Sequence, residues 1–328
     1  MAKNVKQLKR GFHYDPVNQD LGVYVNGVQV ASYTDVPGRT YYVNNITGAS
    51  TNDGLSWGSA FDQVSTAITA QAAYSLAKTG VAATAAGIYG RDKIVIMGTG
   101  TTYTAVSTCP QMCDIIGLGA EPRGNGTGIV VIGDATGAAD GMAGTTRGTN
   151  WYNLQFIGAG TYYAVDLAAA YRTTFENCTF GGNDASAACA RGFSVTSGSG
   201  LVMRDCSNIA HAAFPVIGFC FAETGGNFNQ CLIENCMAYG STTGMSNKGY
   251  LSNLTVFRNN IAYGGTTGMI DTGAGGADAS MAFWYNNFGS GATTGITCSA
   301  SATYAERHFM NNYSVSNATS AVYYALGA

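Results

Sequence analysis

The sequence predicts an all-β protein: a parallel β-helix, or solenoid, preceded by a capping α-helix and an N-terminal arm with a hairpin. Three observations carry this. The first is a repeat over the last two-thirds of the chain. With Cys178, Cys206, Cys236, Asn260, Asn287 and Asn312 in one column, the steps are 28, 30, 24, 27 and 25 residues. Three positions earlier stand Phe175, Met203, Ile233, Phe257, Trp284 and Phe309, always large and apolar. One position earlier stand Asn177, Asp205, Asn235, Asn259, Asn286 and Asn311. A repeat of this length means stacked units, each burying apolar surface against its neighbours. The second observation is composition. Each unit has short apolar runs broken by Gly, Asn, Ser and Thr, and none has a helix-period stripe. The third is a second register. Thr242-Thr243-Gly244-Met245, Thr266-Thr267-Gly268-Met269 and Thr293-Thr294-Gly295-Ile296 all follow the anchor column at similar distance.

In such a stack the apolar column lines the interior. The Asn column becomes a ladder at a turn, amide bonded to amide. The glycines of the second register are expected at a turn that needs positive φ. The Met/Met/Ile that follows them is expected in a second buried strand. Two positions before the anchor, Glu176, Arg204, Glu234 and Arg258 alternate in sign, which predicts an outward ladder of ion pairs.

The elements follow in order. Residues 1–40 form an arm. Lys3, Lys6, Lys9 and Arg10 hold a quarter of the 16 basic residues, and Leu21 to Ala31 reads as a hairpin turning at Asn26-Gly27. An isolated hairpin is barely stable, so the arm is expected to attach the chain to a larger assembly through Lys3, Lys6, Lys9, Arg10, Phe12 and Tyr14. Residues 41–90 form a capping segment. Its helix, at about 60–77, presents Phe61, Val64, Ala67, Ile68 and Ala72 on one face and would cover the exposed strand edges of a solenoid end. Residues 91–328 form the β-helix, starting with strands at Lys93–Met97, Asp114–Leu118 and Ile129–Ile132 and running to about nine coils.

The run Tyr42-Val43, Asn52-Asp53-Gly54, Ser56-Trp57 and Ala60-Phe61, then the helix, then Asp92-Lys93-Ile94-Val95-Ile96 and Ile115-Ile116-Gly117, resembles the entry to a known superfamily. It is that of the right-handed parallel β-helix proteins of pectate-lyase-like type. In character it lies nearest to bacteriophage tailspike and virion β-helix proteins. The resemblance covers residues 41–315 in outline. It implies a right-handed solenoid, in keeping with the crossover rule, and often a homotrimer. It specifies activity poorly, because the superfamily holds lyases, hydrolases, esterases and inactive proteins.

Composition bounds the function. With 46% hydrophobic and 11% charged residues the chain can bury a large core. A net charge of −3 carries no global nucleic-acid footprint. No stretch has the ~20 apolar residues of a membrane span, and the basic first ten residues have no apolar run after them, so no secretory signal is read. Of nine cysteines, Cys178, Cys206 and Cys236 would stack within disulfide range, but a reducing cytosol predicts buried thiols. No zinc signature is found, and no metal or cofactor is expected. The repeat-region acids are Asp166, Glu176, Asp205, Glu223, Glu234, Asp271 and Asp278. None forms a motif for a lyase or hydrolase, so catalysis is not the first expectation. Asp271 and Asp278, on a Gly/Ala loop, are the secondary catalytic candidates. Tyr162, Tyr163, Tyr239 and Tyr263 are secondary candidates for stacking on a glycan. The expectation is a structural protein exposed on a tailed-phage particle, a decoration protein or compact spike. It would be folded in the host cytoplasm, homotrimeric, and in contact with other virion proteins. The alternative is a tailspike-type polysaccharide depolymerase or receptor that meets host-surface polysaccharide.

Overall fold

A computed structural model describes residues 10–15, 20–25, 28–32, 37–79, 91–122, 128–134, 136–182, 188–208, 214–249, 252–272, 280–298 and 305–316. The chain is a parallel β-solenoid. A ten-stranded sheet runs from Pro37–Val43 to Ala305–Met310, and nine of its strands lie beyond residue 90. An eight-stranded sheet, Met142–Arg147 to Thr294–Cys298, makes a second face. The third face is a three-stranded sheet in the lower coils and a four-stranded sheet in the upper coils. Ser207 joins the two by parallel bridges to Thr179 and Met237.

The repeat column is the interior. Strand pairing aligns Tyr41, Ile94, Ile115, Trp151, Phe175, Met203, Ile233, Phe257, Trp284 and Phe309 rung upon rung. All but Phe309 are essentially buried. Rings in it stack face to face, with Trp151 on Phe175 at 6.0 Å and 3°, and Phe257 on Trp284 at 4.0 Å and 10°. Burying one such side chain contributes roughly 2–3 kcal/mol, so the column is a principal source of cohesion between coils.

The Asn column is the corner after the ten-stranded sheet. Asn153, Asn177, Asp205, Asn235, Asn259, Asn286 and Asn311 all have φ between 50 and 57°. Asn and Asp tolerate this left-handed geometry better than other side chains with a Cβ. The amides also bond along the axis: Asn177 Nδ2 donates to Asn153 Oδ1 at 3.0 Å and Asn286 Nδ2 to Asn259 Oδ1 at 3.3 Å.

The anchor column forms a further ladder, inside the corner. Asn287 Nδ2 donates to the Phe257 carbonyl and to Asn312 Oδ1, at 3.0 and 2.9 Å, while its Oδ1 accepts from Asn260 N. Cys178, Cys206 and Cys236 hold the same position lower down as free, buried thiols. Burial drives the Cys178 and Cys236 thiols far above the usual range.

Two expectations need correction. The glycines of the second register are in line, with Thr243, Thr267 and Thr294 paired and Met245, Met269 and Ile296 paired. They are not in left-handed turns. They are required because the third face approaches closely: a Cβ on Gly268 would lie 2.4 Å from Ser290 N, and one on Gly295 2.4 Å from Val315 N. The second is Asp271, expected on a Gly/Ala loop. It ends the strand Thr267–Asp271, faces inward and is buried. The β period places it beside Met269 on the core side.

The cap helix is Val64–Thr79. Val64, Ala67, Ile68 and Gln71 are buried. The helix lies on the first two strands of the ten-stranded sheet. Gln71 Nε2 donates to Asp92 Oδ2 at 2.9 Å, and Arg39 N donates to Asp92 Oδ1. The strands Arg10–Asp15, Asp20–Val25 and Val28–Ser32 form a separate antiparallel sheet. The hairpin read at Leu21–Ala31 is its second and third strands.

Candidate functional site

The outer side of the ten-stranded sheet carries the predicted charge ladder. Arg204 Nε lies 2.5 Å from Glu234 Oε1, Arg258 Nε 2.6 Å from Glu234 Oε2, and Arg204 3.9 Å from Glu176. Burial works to raise the Glu234 carboxyl, but bonds from the two arginines outweigh it and the net shift is downward. Within this set the charges answer one another, with Glu234 held between two arginines.

The eight-stranded sheet is different. Asp166, Ser194, Cys220 and Ser246 share one register position. Their chain neighbours Phe193, Val195, Phe219, Phe221 and Met245 are core residues, so alternation turns this column outward. Ser194, Cys220 and Ser246 are nonetheless buried, and burial pushes the Cys220 thiol up to about 11. Next to this floor, Glu223 pairs with Arg191 and accepts a 2.8 Å bond from Ser194 Oγ. Arg191 also donates to the Tyr163 hydroxyl and lies over the Tyr163 ring, 4.8 Å from its centroid. Asp140 Oδ1 accepts from Tyr163 N at 2.7 Å. Burial first, then the charges of Asp140 and Glu223, push the Asp166 carboxyl up to about 6, against the pull of Arg191. The cluster thus combines a carboxyl raised to about 6 by burial and neighbouring charge with an acid paired to an arginine.

A second surface lies on the four-stranded face. Phe214 stacks on Tyr239 at 5.4 Å and 16°, and Tyr239 on Tyr263 at 5.1 Å and 14°. Phe288 follows at 5.8 Å, and Tyr313 pairs with Phe288 in the next coil. Asn208 anchors the lower end, bonding both the Tyr239 N–H and its carbonyl through its side chain. Burial, then the neighbouring Tyr263, raises the Tyr239 phenol.

The residues singled out from sequence are therefore dispersed. Tyr239 and Tyr263 are brought together; Tyr163 lies in the carboxylate cluster with Tyr162 beside it in sequence. Asp271 is inside the solenoid, where its Oδ2 accepts from Trp284 Nε1 at 3.0 Å. Asp278, Lys3, Lys6 and Lys9 lie outside the described residues. Arg10, Phe12 and Tyr14 fall on the strand Arg10–Asp15, described by its backbone. Among the described residues no group of His, Cys, Asp and Glu is placed to hold a metal ion, and no helix is long and apolar enough to cross a membrane. Asp166 and Glu223 stood among the acids of the repeat region, but nothing in the sequence joined them. The signal that could have done so is the second register extended downward, which puts Asp166 next to Ser194.

No protein-family model, no curated protein and no solved structure matches the chain significantly.

Proposed function

We propose that this chain is a structural protein exposed on the surface of a tailed-bacteriophage particle. In this reading it is a decoration protein or compact spike of pectate-lyase-like β-helix type, a closed homotrimer anchored by residues 1–40. The observation that carries the reading is the antiparallel sheet of residues 10–32, which belongs to none of the solenoid sheets. A small sheet set apart, with the basic cluster at its start, suits attachment to a neighbouring protein better than it suits stability alone. The self-neutralising ladder of Glu176, Arg204, Glu234 and Arg258 supports a shaft whose outer charges serve cohesion. Gradient-purified particles test the reading: the chain is expected in the particle band by mass spectrometry. Its absence from that band, with abundant free chain above it, would refute the assignment.

A second reading is favoured by one specific observation, the cluster of Asp140, Asp166 and Glu223 about Arg191. A carboxyl raised by burial beside a second acid held in an ion pair is an arrangement that acid–base cleavage of a glycosidic bond can use. In a polysaccharide depolymerase Asp166 would give the proton to the leaving oxygen and Glu223 would act as base or nucleophile. Release of oligosaccharide from host-surface polysaccharide, lost in Asp166→Asn, is the outcome that would establish this reading over the first.

A further inference from the structure

We propose that the thiol column of Cys178, Cys206 and Cys236 is an oxidation site, at which a hydroperoxide joins Cys206 to one of its two neighbours and so locks successive coils together. Strand pairing fixes the geometry on both sides of the column. Two residues before it, Glu176, Arg204 and Glu234 are paired coil to coil. One residue after it, Thr179, Ser207 and Met237 are joined by parallel bridges. Ser207 N donates to the Cys178 carbonyl at 3.0 Å and Met237 N to the Cys206 carbonyl at 2.9 Å. With the ladder closed on both sides, successive cysteines stand at the strand spacing of about 4.8 Å. That lies within the Cα separation of about 4.4–6.8 Å that a disulfide spans.

The side chains at this position also meet. In the upper coils Asn260 Nδ2 donates to Asn287 Oδ1 at 3.0 Å, and Asn287 Nδ2 to Asn312 Oδ1 at 2.9 Å. Each amide also reaches the carbonyl of the apolar column one coil lower, as Asn260 Nδ2 does with Ile233 at 2.9 Å. The thiols follow the same course: Cys178 Sγ is 3.4 Å from the Trp151 carbonyl oxygen, and Cys206 Sγ is 3.4 Å from that of Phe175, in the coil of Cys178. Cys178 and Cys236 are two coils apart, roughly 9.6 Å, beyond the reach of a disulfide. Cys206 is therefore a member of every bridge the column allows, and one thiol is always left over.

The order of events follows from position. Burial works against ionising Cys206, but hydrogen bonds from Cys178 and Cys236 outweigh it, so of the three it gives up its proton first. Its sulfur attacks the peroxide, the O–O bond breaks, and Cys206 becomes a sulfenic acid as water or an alcohol leaves. A neighbouring thiol then attacks that sulfur, forming the S–S bond and releasing water. In sum, two thiols lose two electrons and two protons to one hydroperoxide. Hydrogen peroxide is uncharged and little larger than water, which suits a buried thiol that bulky disulfide reagents reach poorly. The bridge closes a loop with ends 28 or 30 residues apart and opposes the separation of those coils. The inference is independent of the virion and depolymerase readings.

Peroxide treatment of the full-length, folded protein tests it, after purification in reductant and desalting. Non-reducing digestion and mass spectrometry are expected to find a bridge from Cys206 to Cys178 or Cys236, with two hydrogens lost per bridge. Oxidation of Met310, 55% exposed, shows that the peroxide acted. Cys178→Ser and Cys236→Ser are each expected to keep a bridge to Cys206, and Cys206→Ser to abolish bridging in the column. The wild-type map decides without any variant, should one fail to fold. Three thiols left intact beside oxidised Met310 overturn the inference. So does Cys206 taken to sulfinic or sulfonic acid without a bridge, a bridge between Cys178 and Cys236, or a bridge that forms only in denaturant.

Discussion

The outer sides of the ten-stranded and eight-stranded sheets use charge in opposite ways. On the first, each carboxylate meets an arginine one coil away: Glu234 sits between Arg204 and Arg258, and its carboxyl is held below the usual range. On the second, Arg191 pairs with Glu223 and pulls on Asp166, yet burial and the charges of Asp140 and Glu223 push Asp166 up to about 6. The consequences for stability run in opposite directions. A depressed carboxyl contributes stability at neutral pH that is lost as pH falls through its folded value. A raised carboxyl costs stability at neutral pH, and the cost vanishes as pH falls below its unfolded value of 3.8. The ladder serves cohesion between coils. The cluster keeps a carboxyl raised to about 6, and this makes it the place to look for chemistry.

The largest effect is expected where the cluster loses the guanidinium that pairs with Glu223. Arg191→Leu leaves Glu223 facing Asp166 and Asp140, with side chains 16% and 20% exposed for Arg191 and Glu223. A loss of about 3 kcal/mol in urea unfolding at pH 7 is expected, falling as the acids are protonated. An equal loss at pH 4 would show that packing, not charge, was removed. Next comes Glu234→Gln, which strips two arginines of their partner. It should cost about 2 kcal/mol at pH 7 and progressively less as pH falls below the glutamate range. A cost independent of pH would mean the ladder is not electrostatic.

Asp166→Asn should stabilise the protein. The wild type loses stability as pH rises from about 4 through 6, and the variant should not. Discounted for partial exposure, the gain at pH 7.5 is about 1 kcal/mol and near zero below pH 4. Melting temperatures across that window measure it, and a gain that is the same at both ends would contradict the raised carboxyl. The smallest effect is expected from Glu176→Ala. Its contact to Arg204 is 3.9 Å and both side chains are 41% exposed, so the change should stay within about 0.5 kcal/mol.

The ladder side was legible in the sequence and the cluster side was not, for a physical reason. The interior column, the Asn corner and the Glu/Arg alternation each recur at a fixed offset from a single anchor, so one alignment exposes all three. Asp166 and Glu223 come from different coils and different parts of the coil: Asp166 is within a strand, Glu223 in the excursion after Phe221. The eight-stranded sheet also shifts register between Leu167 and Ala169, which hides its column from a fixed period. Asp271 misled because its glycine-rich flank suggests a loop, whereas the strand that ends on it turns it toward Trp284. The second-register glycines were found for the wrong reason. Sequence reveals that a Cβ is excluded there, and only the packed third face reveals what excludes it.

The central claim is that residues 1–40 attach an otherwise self-sufficient solenoid to a larger particle. Its most direct test is incorporation of a chain lacking residues 1–35 into particles that lack the native copy. The truncated chain should keep the circular dichroism and cooperative unfolding of the solenoid and remain at the top of the gradient, while the full chain sediments with the particles. A folded, truncated chain that enters the particle band as well as the full chain does would contradict the account.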